Sequence, residues 1–244
     1  MIEVVNLSKH FFVDKKKKVI FENVSFEIRE GDFISLTGES GCGKTTLLKI
    51  IAGVEPPSSG YIVYDGVVPR VFKDLFISNY RGKNIGFVFQ TFELVEQVSV
   101  LDNILLPIYI SGESKSKYVD KAKEILRYVG MEEYINSDVR ILSGGQKQRI
   151  SLARALIRSP KYIFADEPTA NLDEKNSLEI ISLLEKINQE QNVGVVFITH
   201  RQDVMEYSNK IISIINSKIT ITEHKRVEQE TYQRKRRQKS KEHN

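Results

Sequence analysis

The chain of 244 residues is long enough for one large domain, or for one domain with a sub-domain. Its hydrophobic fraction of 41% and its charged fraction of 28% are ordinary for a soluble globular protein. The formal net charge of +4 arises in the last stretch, residues 223–244, which holds eight Lys or Arg and four Asp or Glu. Because the body before this basic tail is neutral, the composition argues against a nucleic-acid-binding face spread over the fold.

Cysteine use and apolar runs constrain where the protein works. Cys42 is the one cysteine of the chain, so no disulfide can form within it and a reducing compartment is expected. The N-terminus runs directly into a strand-like segment, which predicts the absence of a signal peptide. No apolar run approaches the ~20 residues that span a bilayer. If the protein works at a membrane, we expect another chain to do the spanning.

The first elements are two strands, predicted over residues 2–7 and 19–28 from their alternation of apolar and polar side chains. Between them, Lys15–Lys18 is predicted to be a solvated hairpin loop. Phe11 and Phe12 come just before these lysines. One of the two rings is a candidate for stacking on an adenine base, and the alternative is that both are core or edge-strand aromatics.

A glycine-rich segment follows, residues 38–45, which fits the pattern G-x-x-x-x-G-K-[ST] of a phosphate-binding loop. An apolar run at 32–37 predicts a strand before it, and 45–52 predicts a helix after it, which is the context that this motif requires. Glycines let successive backbone N–H groups approach a polyphosphate, and the helix start adds a positive dipole end. Lys44 is expected to reach the β- and γ-phosphates, and Thr45 to offer its hydroxyl to Mg²⁺. The residues predicted to contact the nucleotide here are Gly38, Glu39, Ser40, Gly41, Cys42, Gly43, Lys44, Thr45 and Thr46.

The middle of the chain changes from mixed to helical. A strand at 61–64, a helix at 73–80 and an apolar strand at 85–89 are followed by Gln90. Helices are then predicted at 100–110 and 117–129. Residues from about 91 to 160 are therefore predicted to form a helical sub-domain inserted in an α/β core.

The α/β pattern resumes after this insertion. Strands are predicted at 161–166, 193–199, 210–216 and 219–222, and helices at 174–190 and 202–207. Strands that alternate with helices imply a largely parallel sheet.

Asp166 and Glu167 end the strand predicted at 161–166. A carboxylate at the end of a buried strand beside a phosphate loop commonly holds Mg²⁺, and the next acid can orient or deprotonate an attacking water. The alternative is that two acids simply end a strand.

A second short motif is Leu142-Ser143-Gly144-Gly145-Gln146, followed by a helix predicted at 147–157. Ser143 can cap that helix, and the two glycines let backbone N–H groups approach an anion. Residues 141–155 (ILSGGQKQRISLARA), called here the signature segment, resemble the signature of the ATP-binding cassette (ABC) ATPases.

The resemblance extends from residue 2 to about 222, with the motifs in family order, and segment 85–110 looks most similar to MacB- and LolD-like ATPases. Alone, Gln90 and His200 would more often be structural. The resemblance places Gln90 at Mg²⁺ and the attacking water, and His200 at the family's switch histidine. Asn171-Leu172-Asp173, called here the D-loop, resembles the family's segment of that name.

The resemblance implies a fold and a site. The fold is α/β: a P-loop NTPase core with a mostly parallel sheet, an antiparallel β sub-domain in the N-terminal part and the inserted helical sub-domain, over residues 1–222, followed by a flexible basic tail at 223–244. The implied catalytic residues are Glu167, His200, Gln90 and Lys44. The implied Mg²⁺ ligands are Thr45, Gln90 and Asp166. The implied further ATP contacts are Phe11, Ser143, Gly144, Gly145, Gln146 and Asp173, the signature segment acting on ATP held by a second copy.

The resemblance also implies partners and a location: a second ATPase subunit, as a homodimer around two ATP, and a separate transmembrane permease that holds the protein at the inner, cytoplasmic face of the cell membrane. Three residues depart from the family pattern. Phe11 stands where tyrosine is frequent, Glu39 where proline is common and Asn171 where alanine is common.

Two other function classes compete with a transport ATPase. One is a soluble ABC ATPase that remodels a protein complex without transport. The other is a nucleic-acid-bound ATPase acting through the tail, which the neutral body and the absence of a long coiled-coil insertion disfavour. The tail itself is open to three interpretations: a solvated extension, attraction to an anionic inner leaflet, or contact with nucleic acid.

Overall fold

The computed structural model describes residues 1–69 and 75–223. The strands in these ranges are β1 (Ile2–Val13), β2 (Lys16–Ile28), β3 (Phe33–Gly38), β4 (Ser59–Tyr64), β5 (Ile85–Val88), β6 (Tyr162–Ala165), β7 (Gly194–Ile198), β8 (Lys210–Ile215) and β9 (Lys218–Glu223). The α-helices are α1 (Lys44–Ile51), α2 (Leu75–Asn84), α3 (Val100–Ile110), α4 (Val119–Tyr128), α5 (Gly144–Leu156), α6 (Glu174–Gln191) and α7 (Gln202–Met205). Short 3₁₀ turns lie at Lys115–Lys117, Glu132–Tyr134 and Val139–Ile141.

Two sheets organise the chain. The larger has six strands in the order β5-β6-β7-β3-β8-β9, parallel from β5 to β8 and antiparallel between β8 and β9. The smaller has three antiparallel strands in the order β2-β1-β4. The prediction of an α/β fold with a mostly parallel sheet and an antiparallel N-terminal sheet is confirmed.

The parallel strands are apolar because both faces of the sheet are covered. All residues of β6 and β7 are buried, which is typical of a parallel sheet between two layers. Alternate side chains of β7 enter different cores: Val195 and Phe197 pack with α3, α4, α5 and α6, whereas Val196 and Ile198 pack with α1 and the antiparallel sheet.

The parallel direction brings four loops to one edge of the sheet. The carboxyl end of β3 continues into the phosphate loop, β5 into Gln90, β6 into Asp166 and Glu167, and β7 into His200. Ligands of open α/β sheets bind at the carboxyl ends of the strands. The topology therefore gathers most of the predicted site residues at this edge.

The hairpin between β1 and β2 differs from its prediction. Asp14 and Lys15 form a two-residue turn with φ of 49° and 62°, and Lys16–Lys18 belong to β2. A turn with two positive φ angles matches the twist of the flanking strands, so the strands continue up to it. The prediction that all four lysines form the loop was wrong, although their side chains are exposed as expected.

Two helices differ from their predictions at the N-terminal end. The helix predicted from 147 starts earlier, at Gly144, because Ser143 caps it there. The helix predicted from 73 is observed as α2, and its first two predicted residues lie outside the described ranges. The basic tail also lies outside them, apart from Glu223, which ends β9. Among the helices of the described ranges, none is long and apolar enough to cross a membrane.

Candidate nucleotide-binding site

The phosphate loop adopts a conformation that depends on its glycines. Gly38 has φ of 144° and Gly43 has φ of 106°. A Cβ on Gly38 would lie 2.5 Å from the Ile214 carbonyl oxygen, and one on Gly43 would lie 2.1 Å from Ile20 Cγ2. No side chain of the described residues caps the start of α1, so the backbone N–H groups there are available to an anion.

Lys44 is held over this loop. Its side chain folds back, and Nζ donates to the carbonyl oxygens of Gly38 (3.0 Å) and Glu39 (2.8 Å). The residue is only 6% exposed. The ammonium charge is therefore fixed where a polyphosphate on the loop would meet it.

Thr45 and Asp166 meet at the junction of α1 with β6. Thr45 Oγ1 donates to Asp166 Oδ1 at 3.0 Å. Burial raises the pKa of Asp166 above its ordinary value; the Thr45 hydrogen bond opposes this change and the charge of Glu167 adds to it. A partly buried carboxylate with a raised pKa gains from a cation placed beside it.

These groups fit a magnesium nucleotide. The site offers backbone N–H groups, an ammonium, a hydroxyl and a carboxylate, which together suit phosphates and Mg²⁺. No group of three or more His, Cys, Asp or Glu side chains within 1–69 and 75–223 is placed to hold a metal. Thr45 and Asp166 could hold a magnesium ion together with phosphate oxygens, since Mg²⁺ commonly takes few protein ligands, and the contact of Gln90 with Mg²⁺ stays a prediction.

Glu167 and His200 are brought together by the neighbouring strands β6 and β7. Glu167 Oε1 lies 3.4 Å from His200 Nε2. Glu167 has a φ of 47°, which is uncommon for a residue with a side chain. Strained backbone of this kind is frequent at functional sites.

Gln90 is exposed, two residues after the end of β5, and its backbone is held by the D-loop: Asn171 Nδ2 donates to the Gln90 carbonyl oxygen at 3.0 Å. Arg154, from the signature segment, donates to the carbonyl oxygens of Phe92 (2.7 Å) and Glu93. The role of Arg154 could not be predicted from the sequence, because a contact to a distant backbone carbonyl has no sequence pattern.

The start of α5 is closed by a capping box. Gln146 N–H donates to Ser143 Oγ (3.3 Å), and Ser143 N–H donates to Gln146 Oε1 (2.8 Å). The predicted cap is confirmed, and it ties both side chains to the helix end. Gly145 lies against α6, where an added Cβ would be 2.5 Å from Asn176 Oδ1. The glycines Gly144 and Gly145 thus allow close packing within the chain.

Asp173 caps α6. Its Oδ1 accepts the backbone N–H of Asn176 at 2.9 Å, and hydrogen bonds from that backbone group and from the Asn176 side chain lower the Asp173 pKa. The contact of Asp173 with a nucleotide stays a prediction.

Phe11 has one ring face covered. Lys9 Nζ lies 4.8 Å from the Phe11 ring centre and is itself held by Glu55 (2.8 Å) and the Pro56 carbonyl oxygen (2.8 Å). Phe11 is 40% exposed, which leaves ring surface for a flat base. Phe12 is 70% exposed and meets the edge of His10. Neither ring is a core aromatic.

The remaining phosphate-loop residues differ in exposure. Cys42 and Thr46 are partly buried, whereas Glu39, Ser40 and Gly41 are exposed. The Cys42 Sγ lies close to Gly38, since a Cβ added to Gly38 would be 2.8 Å from it.

An α/β sheet with a phosphate loop, a strand-end carboxylate and a signature segment defines a nucleotide-hydrolysing cassette. Residues 21–170 match the family model described as ABC transporter, and the chain belongs to this family as an ATP-binding cassette that hydrolyses ATP.

Relatives and solved structures agree with this assignment. An uncharacterized ABC transporter ATP-binding protein of Methanocaldococcus jannaschii is 37% identical over 90% of this chain and 97% of its own. A putative hemin import ATP-binding protein, HrtA, of Staphylococcus epidermidis is 38% identical over 88% and 97%. The lipoprotein-releasing system ATP-binding protein LolD of Geobacter metallireducens is 33% identical over 90% and 97%. The dimeric post-hydrolysis structure of the ATP-binding cassette MJ0796, bound to ADP and Pi, superposes with a TM-score of 0.82 at 33% identity, covering 91% of this chain and 98% of that one.

Proposed function

We propose that two copies of the chain close around two ATP molecules and drive a separate membrane-spanning partner. The observation that carries the proposal is the match, over nine tenths of the chain, to ATP-binding subunits of transport systems and to a cassette solved as a dimer. In this proposal the protein lies at the inner, cytoplasmic face of the membrane through its partner.

The substrate proposed is a peptide, lipid or lipoprotein, and the machine an exporter or an envelope system. The LolD relative supports this choice by its name, while the HrtA relative is named for hemin import. The names of the relatives therefore differ in substrate and in direction, and a measurement of the partner must decide between them.

The proposed chemistry follows from the geometry of the site. Hydrolysis needs a phosphate cradle, an oriented water and stabilisation of charge on the transferred phosphoryl group. The phosphate loop and Lys44 supply the cradle and the positive charge. Glu167 orients or deprotonates the water, and His200, 3.4 Å from it, holds its carboxylate in place. Mg²⁺, held by Thr45, Asp166 and Gln90, would supply charge neutralisation between the phosphates.

The signature segment and the D-loop are proposed to act across the dimer. Ser143, Gly144, Gly145 and Gln146 begin α5, whose dipole favours an anion, and the ATP of the second copy would supply one. We further propose that the helical residues 91–160 move as a sub-domain relative to the nucleotide-binding core when ATP binds.

A groove is the docking place proposed for the partner. It has a volume of about 800 Å³ and lies between α2, β5, α3 and α5. Phe87, Phe89, Leu106 and Ile110 give it an apolar wall. Ile110 is 86% exposed. A large apolar side chain exposed beside other apolar side chains indicates a surface that another protein covers. We propose that a segment of the membrane partner covers this wall.

The first experiment isolates the partner. The Glu167→Gln variant, tagged, is expected to bind ATP, hydrolyse it at least about 100-fold more slowly and stay closed with ATP and Mg²⁺. It is purified with ATP and Mg²⁺ from detergent-solubilised cells in which the protein is native. A multi-spanning protein in defined stoichiometry supports the transport function.

The second experiment tests the groove. Ile110→Asp is expected to abolish association with the membrane protein while ATP binding is kept, because a charge cannot be buried in the apolar wall. Ile215→Asp, at a side chain 57% exposed on β8 and outside the groove, is the matched control and is expected to keep the association. Equal association in both variants would contradict docking in the groove.

The alternative function is an ABC ATPase that remodels a protein complex without transport. It would be favoured by recovery of soluble proteins only, or of the dimer alone, in the first experiment. A monomer in the presence of ATP would contradict the proposed dimer.

A further inference from the structure

Three segments of one chain meet beside Gln90. The Gln90 carbonyl oxygen accepts the Asn171 side-chain amide at 3.0 Å. Gly144 lies against the D-loop and against the segment after β5. A Cβ on Gly144 would be 3.7 Å from the Asn171 carbonyl oxygen and 3.8 Å from Phe92 Cζ. The segment after β5, the D-loop and the start of α5 therefore form one junction.

The backbone after β5 is anchored at two places. Phe92 and Glu93 have positive φ angles of 64° and 49°, and their carbonyl oxygens are held by Arg154 of α5. Gln90 lies before this anchor and two residues after the end of β5, and its own carbonyl is held by Asn171. One anchor thus comes from α5 and the other from the D-loop. The D-loop anchor, Asn171, holds Gln90, the residue proposed to contact Mg²⁺.

Asn171 is in turn tied to Glu167. The backbone N–H of Ala170 donates to the Glu167 carbonyl oxygen at 3.1 Å, and that of Leu172 donates to the Thr169 carbonyl oxygen at 3.2 Å. The chain from Glu167 to Asn171 is therefore a compact turn. Through it, the Asn171 amide links the Gln90 backbone to Glu167, the acid proposed to orient the water.

We propose that Asn171 is a positioning residue, whose amide holds the Gln90 carbonyl so that the Gln90 side chain is directed toward the metal and the attacking water. The inference rests on the proposed function, in which Gln90 contacts Mg²⁺. An alanine at this position has no donor and cannot form the bond. Asn171 has no place in the chemistry itself, and it acts on the reaction only through Gln90.

The expected effect separates turnover from binding. Partners that orient a metal ligand commonly change activity or metal affinity by 10- to 100-fold when removed, so about a tenfold fall in kcat is expected without the amide. The Mg²⁺ concentration for half-maximal hydrolysis should rise by a similar factor. KM for ATP and the melting temperature should stay unchanged, because the phosphate loop is untouched and Asn171 is exposed.

The experiment compares three variants in the full chain. Asn171→Asp keeps the shape and loses the donor, Asn171→Ala loses both, and Asn171→Gln keeps the donor on a side chain longer by one methylene. Asn136→Ala, at an exposed asparagine with no assigned role, is the control. The measurements are kcat, KM for ATP, the Mg²⁺ titration and hydrogen exchange of the backbone amides at 90–93.

The proposal is supported by a lower kcat, a higher Mg²⁺ requirement and faster exchange of the amides at 90–93 in Asn171→Asp and Asn171→Ala. Asn171→Gln should recover all three. The proposal is overturned if Asn171→Asp keeps the wild-type kcat and Mg²⁺ dependence. It is also overturned if turnover slows while the exchange of the amides at 90–93 is unchanged.

Gln90→Ala, measured in parallel, tests the proposed function separately. If this variant hydrolyses ATP normally, the proposed metal role of Gln90 is wrong. Hydrogen exchange alone then tests whether Asn171 anchors the Gln90 backbone. Faster exchange at 90–93 in Asn171→Asp then supports the bond as an anchor, and unchanged exchange overturns it.

Discussion

Thr45 Oγ1 and Asp166 Oδ1 lie 3.0 Å apart, and this hydrogen bond joins the first turn of α1 to the end of β6. The hydroxyl and the carboxylate belong to residues 121 positions apart in the sequence. Their meeting brings together the hydroxyl and the carboxylate proposed to hold Mg²⁺, and burial makes the ionised carboxylate unfavourable without a positive charge beside it.

Asp166→Asn is therefore expected to raise the melting temperature of the protein without Mg²⁺. Burial raises the Asp166 pKa in the folded state, so the ionised carboxylate destabilises the fold. This destabilisation is fully present above the folded pKa and disappears as the pH falls below the unfolded value. Calorimetry at pH 7 should show the gain in melting temperature, and the gain should shrink as the pH approaches 4.

Asp203→Asn is the opposite-sign control for this measurement. The Arg201 side chain donates to Asp203 and lowers its pKa, so the ionised form stabilises the fold at neutral pH. Its replacement should lower the melting temperature at pH 7, an effect lost as the pH falls. A lower melting temperature of Asp166→Asn at pH 7 would contradict the first expectation.

Phe11→Ala is expected to raise KM for ATP by about 5- to 150-fold, since stacking of a base on an aromatic ring contributes about 1–3 kcal/mol. Inhibition by tripolyphosphate, which has no base, should not change. Phe11→Tyr should behave as the wild type, because the ring is kept. Phe12→Ala is the matched control, and a larger effect there would move the stacking role to Phe12.

Lys44→Ala is expected to lower kcat/KM for ATP by about 100-fold or more, because a fixed positive charge at the transferred phosphoryl group is lost. Lys123→Ala, at an exposed ion pair with Asp120 on α4, should have no effect. Steady-state hydrolysis measures both variants. Near-normal hydrolysis by Lys44→Ala would refute the role of the phosphate loop.

Alkylation of Cys42 is expected to block hydrolysis, and ATP is expected to protect the thiol. Cys42 is partly buried and its Sγ lies close to Gly38, so we expect an added group to disturb the loop. Mass spectrometry verifies modification at the one cysteine of the chain, and Cys42→Ser should resist the reagent. Full activity of completely alkylated protein would show instead that Cys42 is an inert residue of a tight turn.

Much of the site could be predicted because its signals are local. The glycine spacing of the phosphate loop is dictated by backbone geometry, and Asp166 and Glu167 follow a short apolar run that predicts the buried strand observed as β6. Once the strands are parallel, their carboxyl ends must share one edge, so the placement of Gln90, Asp166 and His200 at that edge follows from topology.

The rest depended on contacts that have no local pattern. Asn171 and Arg154 donate to carbonyl oxygens, and every residue carries a carbonyl. The early start of α5 was missed because glycines are poor helix formers, although Ser143 and Gln146 have the spacing of a capping box. Lys16–Lys18 belong to a strand because a two-residue turn lets β2 extend to it, against their own weak β-propensity.

The bonds of Lys44 to the carbonyl oxygens of Gly38 and Glu39 determine when its side chain loses conformational freedom. A free lysine side chain loses about 1.5–2 kcal/mol of rotational entropy when it is immobilised. In this protein that loss occurs when the chain folds. An ammonium has three N–H groups, so two carbonyls do not saturate it. A phosphate can therefore bind to a cation that is already immobile. The entropy loss lowers the stability of the fold and does not lower the affinity for the nucleotide.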